Sequence, residues 1–120
     1  MNKVVLFLHG YGANGNDLIG LKDHIDNPNN SILFESPNAP EAGPLNYFGY
    51  QWFELAERTP EEIYLGLKKS YKYLEKILED IIKKHNTSYE NIVLIGFSQG
   101  AMLSAYYGLT SDVKLGGVIS

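Results

Sequence analysis

One short segment of the sequence, residues 96–100, has the residue types and spacing of a serine nucleophile on a sharp turn. Its serine, Ser98, has a glycine two positions away on each side, and small residues are needed where a strand bends abruptly into a helix. A hydroxyl held out of a sheet by such a turn can attack an electrophile. The apolar run at residues 91–95 is typical of a buried parallel strand. This context favours a nucleophile over a structural turn, in which glycine and serine are also common.

A glycine-rich loop, residues 9–15, follows another short apolar run near the start of the sequence. At the C-terminal edge of a parallel strand, such a loop leaves backbone N–H groups free to point at a developing negative charge. We expect the N–H groups of Tyr11 and Gln99 to form an oxyanion hole beside Ser98. A phosphate-binding loop is a weaker alternative, because the sequence has neither a Gly-Lys-Ser/Thr motif nor the G-x-G-x-x-G spacing.

An aromatic cluster lies in the middle of the sequence, within an irregular segment rich in proline and glycine. Its members are Tyr47, Phe48, Tyr50, Trp52 and Phe53. Aromatic side chains in such a segment can cap the core, or they can line an acyl pocket opposite a nucleophile. We favour the pocket and predict that Trp52 and Phe53 bind substrate.

The elements that must position these groups alternate between strands and helices. This alternation predicts an α/β fold with a parallel sheet that is covered by helices on both faces. Strands are expected at residues 3–8, 31–35, 91–95 and 114–120. Helices are expected at residues 17–25, 60–85 and 99–107.

The longest predicted helix has the clearest start signal. Thr59 and Glu62 form a capping box around Pro60, which suits the first helical position. Its apolar residues form one stripe at helical spacing: Ile63, Leu67, Tyr71, Leu74, Leu78 and Ile81. The preceding residues 36–59 have no clean period, so we expect a long functional, lid-like loop there.

Composition restricts the possible classes of protein. A chain of 120 residues with 44% apolar content is long enough for one core, so a single domain over residues 1–120 is expected. The net charge of −4 and the dispersed lysines argue against nucleic acid or an anionic membrane as a partner. Cysteine is absent, which excludes disulfides, thiolate metal sites and a cysteine nucleophile and fits a reducing compartment. The first apolar run is too short for a signal peptide or a membrane span, so we expect a cytoplasmic protein.

Neither a metal site nor histidine catalysis is indicated by the three histidines of the sequence. His9, His24 and His85 are scattered without ligand spacing, so no metal is predicted. His24 and His85 lie on predicted helices, where surface or dipole-stabilising roles are expected.

Four motifs, taken together, resemble the phospholipase/carboxylesterase family of α/β-hydrolases, which includes the acyl-protein thioesterases. They are, in order, residues 8–17 (LHGYGANGND), 37–40 (PNAP), 51–53 (QWF) and 96–101 (GFSQGA). The match extends from Lys3 to Ser120, and four collinear motifs are more specific than any one of them.

This resemblance implies the α/β-hydrolase fold and a set of site residues. Ser98 would be the nucleophile and Tyr11 and Gln99 the oxyanion donors, while His9 would shape the oxyanion loop. The family hydrolyses carboxylic esters or thioesters without a cofactor. Its topology and right-handed crossovers both place the four strands in the spatial order 31–35, 3–8, 91–95 and 114–120.

The sequence departs from the family pattern downstream of Ser98. Family members continue for about as many residues again, and their triad Asp and His come from that second half. After Ser98 this sequence contains one acid, Asp112, and no histidine. We therefore expect a fragment, the product of a truncated gene or one half of a split protein.

Two functions remain open at this point. In the first, the chain is a serine ester hydrolase that a further polypeptide or a domain-swapped copy completes. In the second, it is a catalytically inactive remnant that self-associates or binds acyl ligands without turnover. Residues 116–119 are expected to form an uncharged strand edge, which favours self-association or a complementing C-terminal half.

Overall fold

The computed structural model describes residues 2–43 and 49–120, which form six strands. The strands are β1 (Lys3–Leu8), β2 (Ile32–Glu35), β3 (Glu41–Ala42), β4 (Tyr50–Gln51), β5 (Ile92–Gly96) and β6 (Gly117–Ile119). Four of them form a parallel sheet in the order β2-β1-β5-β6. The predicted parallel sheet and strand order are confirmed.

The two central strands carry the core because their side chains are apolar on both faces. On β1, Val4, Leu6 and Leu8 point to one face and are at most 1% exposed. Their neighbours on β5, Ile92 and Leu94, are fully buried on the same face. Each such side chain contributes roughly 1.5–3 kcal/mol when it is fully buried.

Two long helices, α2 (Pro60–His85) and α3 (Gln99–Thr110), pack against that face and against each other. The Oγ1 of Thr59 accepts the N–H of Glu62 at 3.1 Å, so the predicted helix cap is present. Leu74, Leu78 and Ile81 of the predicted apolar stripe are buried. Helix α2 begins at Pro60, the predicted first helical position, and ends at His85 as predicted.

Two predicted elements are shorter in the structure. The helix expected at 17–25 is a four-residue helix, α1 (Asn16–Ile19), followed by a 3-10 helix, Gly20–His24. Neither segment buries a residue, and glycine is a poor helix former, so little favours a longer helix. The strand expected at 114–120 is limited to Gly117–Ile119.

The irregular segment 36–59 contains the small antiparallel pair of β3 and β4. Residues 44–48 lie outside the described residues, and with them Tyr47 and Phe48 of the aromatic cluster. Tyr50 is joined to the glycine-rich loop, because its N–H donates to the Ala13 carbonyl at 2.7 Å and its carbonyl accepts the Gly12 N–H at 2.8 Å. Tyr50 therefore lies directly against the loop that was predicted to bind an oxyanion.

Across residues 2–43 and 49–120, no helix combines the length and apolar character that crossing a bilayer requires.

Candidate active site

Ser98 occupies a strained turn between the end of β5 and the start of α3. Its backbone dihedral angles are φ 54° and ψ −115°, and its side chain is exposed. A positive φ costs a non-glycine residue about 1–3 kcal/mol, so it persists only where the surroundings hold it. Here the Phe97 N–H donates to the Leu8 carbonyl at 3.0 Å, and the Gly100 N–H donates to the Phe97 carbonyl at 2.9 Å. The predicted strand-to-helix turn is present.

The glycines around the turn are required by close packing. A Cβ on Gly100 would overlap the carbonyl groups of Leu8 and His9, and one on Gly96 would overlap the Gly100 carbonyl. The turn can therefore approach β1 closely only while both positions lack a side chain. This is the crowding that the sequence pattern predicts.

The glycine-rich loop after β1 packs directly on Ser98. A Cβ built on Gly10 would lie 3.2 Å from the Ser98 Cβ and 3.8 Å from its Oγ. The loop is closed by the Ala13 N–H, which donates to the Gly10 carbonyl at 3.1 Å. Tyr11 is thus the residue next to the one that touches the serine. Within the described ranges, the N–H groups of Tyr11 and Gln99 donate no hydrogen bond to another protein group.

The side chain of Gln99 is fully buried, and both polar atoms of its amide are hydrogen-bonded. Its Oε1 accepts the Trp52 N–H at 2.7 Å and the Phe53 N–H at 3.4 Å. Its Nε2 donates to the Phe53 carbonyl at 2.7 Å. Gln99 therefore joins the nucleophile turn to a segment that lies 46 residues earlier in the chain.

Trp52 and Phe53 lie in the hydrophobic core, with 0% and 1% of their surface exposed. The Trp52 indole N–H donates to the His9 carbonyl at 2.9 Å, and the Ser70 hydroxyl donates to the Trp52 carbonyl at 2.6 Å. Their burial leaves no surface for a substrate and, for these two residues, favours the alternative of a place in the core. Both residues hydrogen-bond to Gln99, and Trp52 also hydrogen-bonds to His9, so they contact the residues next to Ser98 and Gly10.

His9 is a buried structural residue whose two ring nitrogens are both engaged. Its Nε2 lies 2.9 Å from the Ala39 nitrogen, which can only donate, so Nε2 is an acceptor. The proton must then be on Nδ1, which donates to the Gly10 carbonyl at 2.8 Å. Burial lowers the pKa of His9, despite opposing effects of the Gly10 carbonyl and the Asp17 charge. Neutral His9 therefore shapes the loop and is not available as a base for Ser98.

Two contacts of the glycine-rich loop were not predicted from the sequence. The far end of the loop is anchored by Asn38, whose Oδ1 accepts the Gly15 N–H at 2.8 Å, and by Ser36, whose hydroxyl donates to the Gly15 carbonyl at 2.6 Å. The guanidinium carbon of Arg58 lies 5.9 Å from the centre of the Tyr11 ring. The 37–40 motif, which contains Asn38, was the only sequence signal for the anchoring of the loop. No sequence signal indicated the contact between Arg58 and Tyr11.

No hydrogen bond or ion pair in the described part of the chain joins Ser98 to a histidine or a carboxylate. The same residues contain no group of three or more histidine or acidic side chains arranged to hold a metal ion. The arrangement present is therefore an exposed serine on a strained turn, with the glycine-rich loop packed against it.

Comparison with known proteins identifies the family of the chain. The family model described as phospholipase/carboxylesterase matches residues 1–120. The chain is 33% identical over 124 residues to acyl-protein thioesterase 1 homolog 1 of Dictyostelium discoideum, covering 97% of this chain and 54% of the relative. It is 29% identical over 125 residues to acyl-protein thioesterase 1 of Candida albicans, with the same two coverages.

A solved structure gives the same result. The crystal structure of esterase PE8 superposes with a TM-score of 0.89 at 33% identity, covering 98% of this chain and 55% of that one. The chain therefore spans about half the length of the relatives it matches. Its fold is that of the α/β-hydrolases, and the chain belongs to the phospholipase/carboxylesterase family.

Proposed function

We propose that this chain carries the nucleophile and oxyanion hole of a carboxylic ester or thioester hydrolase. Ser98 is the nucleophile, and the N–H groups of Tyr11 and Gln99 are the oxyanion donors. The observation that carries the proposal is the positive φ of Ser98 at the end of β5, with Gly10 packed against its side chain. The membership of an esterase family supports it.

In the proposed reaction, the Ser98 hydroxyl gives its proton to a general base, and its Oγ forms a bond to the carbonyl carbon of the ester or thioester. The carbonyl oxygen becomes an oxyanion that the two N–H groups stabilise. Collapse of this intermediate breaks the bond to the alkoxide or thiolate, which leaves with a proton, and water then hydrolyses the acyl-enzyme. No cofactor takes part. We propose that the general base and its acidic partner lie outside these 120 residues, because no described histidine or acid contacts Ser98.

Trp52 and Phe53 have an indirect role in this proposal. Their backbone groups bind Gln99, and the Trp52 indole binds the residue before Gly10. These bonds fix the distance between the two proposed oxyanion donors. We expect substrate to contact the surface residues of the cleft beside Tyr11. The cytoplasmic location stays a prediction from composition.

The second candidate function is a catalytically inactive chain that self-associates or binds a complementing polypeptide. It is favoured by β6, which pairs only with β5 in the described sheet and carries Ile119 with 56% of its surface exposed. An uncharged edge strand of this kind readily pairs with another chain.

Acylation of Ser98, read by intact mass spectrometry, tests the first function. Without its base, the chain should hydrolyse 4-nitrophenyl butyrate barely above background, because a triad reduced to its oxyanion hole retains only about 10³–10⁴-fold over water. Added imidazole should supply the base and increase the amount of butyryl-Ser98, located by peptide mapping. Ser98→Ala should form no adduct at this position.

The opposite results are equally informative. Adducts confined to lysines at every imidazole concentration would contradict the nucleophile and favour the inactive chain. Robust turnover without imidazole that Ser98→Ala abolishes would show that a base is present in the chain.

A further inference from the structure

Resting on the proposed function, we propose that Arg58 selects ester substrates that carry a second, anionic group, a carboxylate or phosphate. Arg58 is the sole arginine of the sequence. Its guanidinium would bind that group while the ester carbonyl lies at Ser98. Arg58 would thus determine specificity and take no part in the bond-breaking step.

The first observation is where Arg58 lies. Its guanidinium carbon is 5.9 Å from the centre of the Tyr11 ring, and both residues line one cleft of about 850 Å³. A cleft of this size is within the range of small-molecule sites, roughly 300–1,000 Å³. Tyr11 directly follows Gly10, which packs on Ser98. The cleft therefore begins at the residue that carries one of the proposed oxyanion donors.

The second observation is that the backbone holding Arg58 is strained and tightly anchored. Arg58 has φ 59°, in the left-handed region. The Glu62 carboxylate accepts three consecutive backbone N–H groups, from Ala56 at 3.1 Å, Glu57 at 3.0 Å and Arg58 at 2.8 Å. These bonds, with that of Arg58 the strongest, lower the pKa of Glu62 and keep it ionised. Backbone strain held in this way is concentrated at functional sites.

The third observation is the charge around the guanidinium. The ion pairs of the described residues join Lys69 to Glu41, Lys76 to Asp80, and Lys84 and His85 to Glu35, and none of them includes Arg58. Glu41 and Glu54 also line the cleft, but both act on Lys69, whose pKa they raise, Glu41 through a 2.6 Å contact. The Arg58 charge also acts on Glu62 and helps to lower its pKa, but the Glu62 carboxylate already accepts the three backbone N–H groups. The guanidinium beside Tyr11 therefore has no ion-pair partner among the described residues.

The chemistry of arginine explains the choice of ligand. The face of an aromatic ring attracts a guanidinium that lies over it. Its N–H edges then stay free to form two parallel hydrogen bonds with the oxygens of a carboxylate or phosphate. Such a fork orients the substrate as well as binding it, which positions the distant ester carbonyl at the nucleophile.

Binding measurements test this inference without requiring turnover. Three methyl esters of similar length serve as probes: monomethyl adipate, methyl 5-phosphonopentanoate and the neutral dimethyl adipate. Each is titrated into the 120-residue chain while the Tyr11 amide and the Arg58 Nε–H are followed by NMR. At least one anionic probe should bind tighter than the neutral diester by about tenfold or more, and the anion with the higher affinity identifies the preferred group.

Variants separate Arg58 from general charge effects. Arg58→Gln should abolish the preference for the anionic probes, and Arg58→Lys should retain only part of it, because an ammonium lacks the planar fork. Lys68→Gln is the matched control, since Lys68 also lies over a tyrosine ring, that of Tyr64 at 5.4 Å, but does not line the cleft. It should leave all three affinities unchanged.

The outcomes distinguish this inference from the proposed function. Equal affinities for charged and neutral probes, or anion binding that survives Arg58→Gln, would overturn the role of Arg58 even if Ser98 is acylated. Anion binding that depends on Arg58 would support the recognition site even if no acyl-Ser98 forms, and only the hydrolase would then be rejected.

Discussion

Gln99 has two separate tasks in the proposed site, one for its backbone and one for its side chain. Its N–H is a proposed oxyanion donor, while its amide binds three backbone groups of Trp52 and Phe53. Trp52 in turn binds the His9 carbonyl, and His9 binds the Gly10 carbonyl. Because the Gly10 carbonyl and the Tyr11 N–H belong to one peptide plane, holding the first orients the second. Buried hydrogen bonds therefore connect the two proposed oxyanion donors.

His9 makes this network dependent on pH. Its pKa is lowered in the folded state by burial, so the unfolded chain binds a proton more readily. The contribution of neutral His9 to stability should be complete above the unfolded pKa of about 6.5. It should decline as the pH falls from there towards the folded pKa, by at most about 1.4 kcal/mol per pH unit. Protonation would also turn the Nε2 acceptor of the Ala39 N–H into a donor.

Urea unfolding between pH 7.5 and 5 measures this effect. His9→Gln should lower the free energy of unfolding at pH 7.5 and flatten its pH dependence. His24→Gln, at an exposed position, is the control and should keep the wild-type slope. A wild-type stability that stays constant or increases down to pH 5 would rule out the neutral, buried imidazole.

Among the elements, the contact between the nucleophile turn and β1 tolerates no added atom. Gly100→Ala should therefore push α3 away from β1 and lower the free energy of unfolding by at least about 1–3 kcal/mol, the usual cost of overpacking. Gly20→Ala is the matched control. Gly20 has helical dihedral angles, φ −62° and ψ −20°, and a Cβ there meets nothing within 4 Å.

The control substitution should raise stability by roughly 0.4–1 kcal/mol, because alanine restricts the unfolded chain. Thermal and urea unfolding of both variants give the comparison. If Gly100→Ala were as stable as Gly20→Ala, the close approach of the turn to β1 would be incorrect.

At the scale of the whole molecule, the two faces of the sheet differ. Both long helices cover the face that carries Leu6 and Leu94. On the opposite face, Ile119 of β6 is the register partner of Ile95 on β5, and 56% of the Ile119 surface is exposed. No long helix among the described residues covers this side. An apolar row beside an open strand edge favours association with another chain.

We predict that the purified chain self-associates through β6 and this face. Light scattering at micromolar concentration should give a mass above that of one chain, and Ile119→Lys should shift the mass towards the monomer, because a charge at the interface is costly to bury. Leu109→Lys is the control, since Leu109 is 87% exposed but lies on α3 and not on β6. A monomeric wild-type chain, or an oligomer that Ile119→Lys leaves intact, would contradict this prediction.

Much of this architecture could be predicted from the sequence, because its signals are local. Strand order is the exception, since it followed from the topology of the family that the sequence resembles and from crossover handedness. Strand positions followed from short apolar runs, the start of α2 from the Thr59–Glu62 cap, and the turn at Ser98 from its two glycines. Each of these depends on residues within a few positions of one another. The ends of α1 and β6 were less predictable, since they depend on how much surface each element buries.

The tertiary structure alone decided what the long-range contacts do. For Trp52 and Phe53 the sequence favoured a pocket over a core, but the folded chain buries both, and Gln99 and Ser70 bind their backbone from two different helices. Arg58 reaches Tyr11 across 47 positions of sequence for a similar reason: α2 begins at the same edge of the sheet where β1 ends. Contacts between distant residues depend on how the elements pack against one another. No hydrophobic period or motif in the sequence indicates that packing.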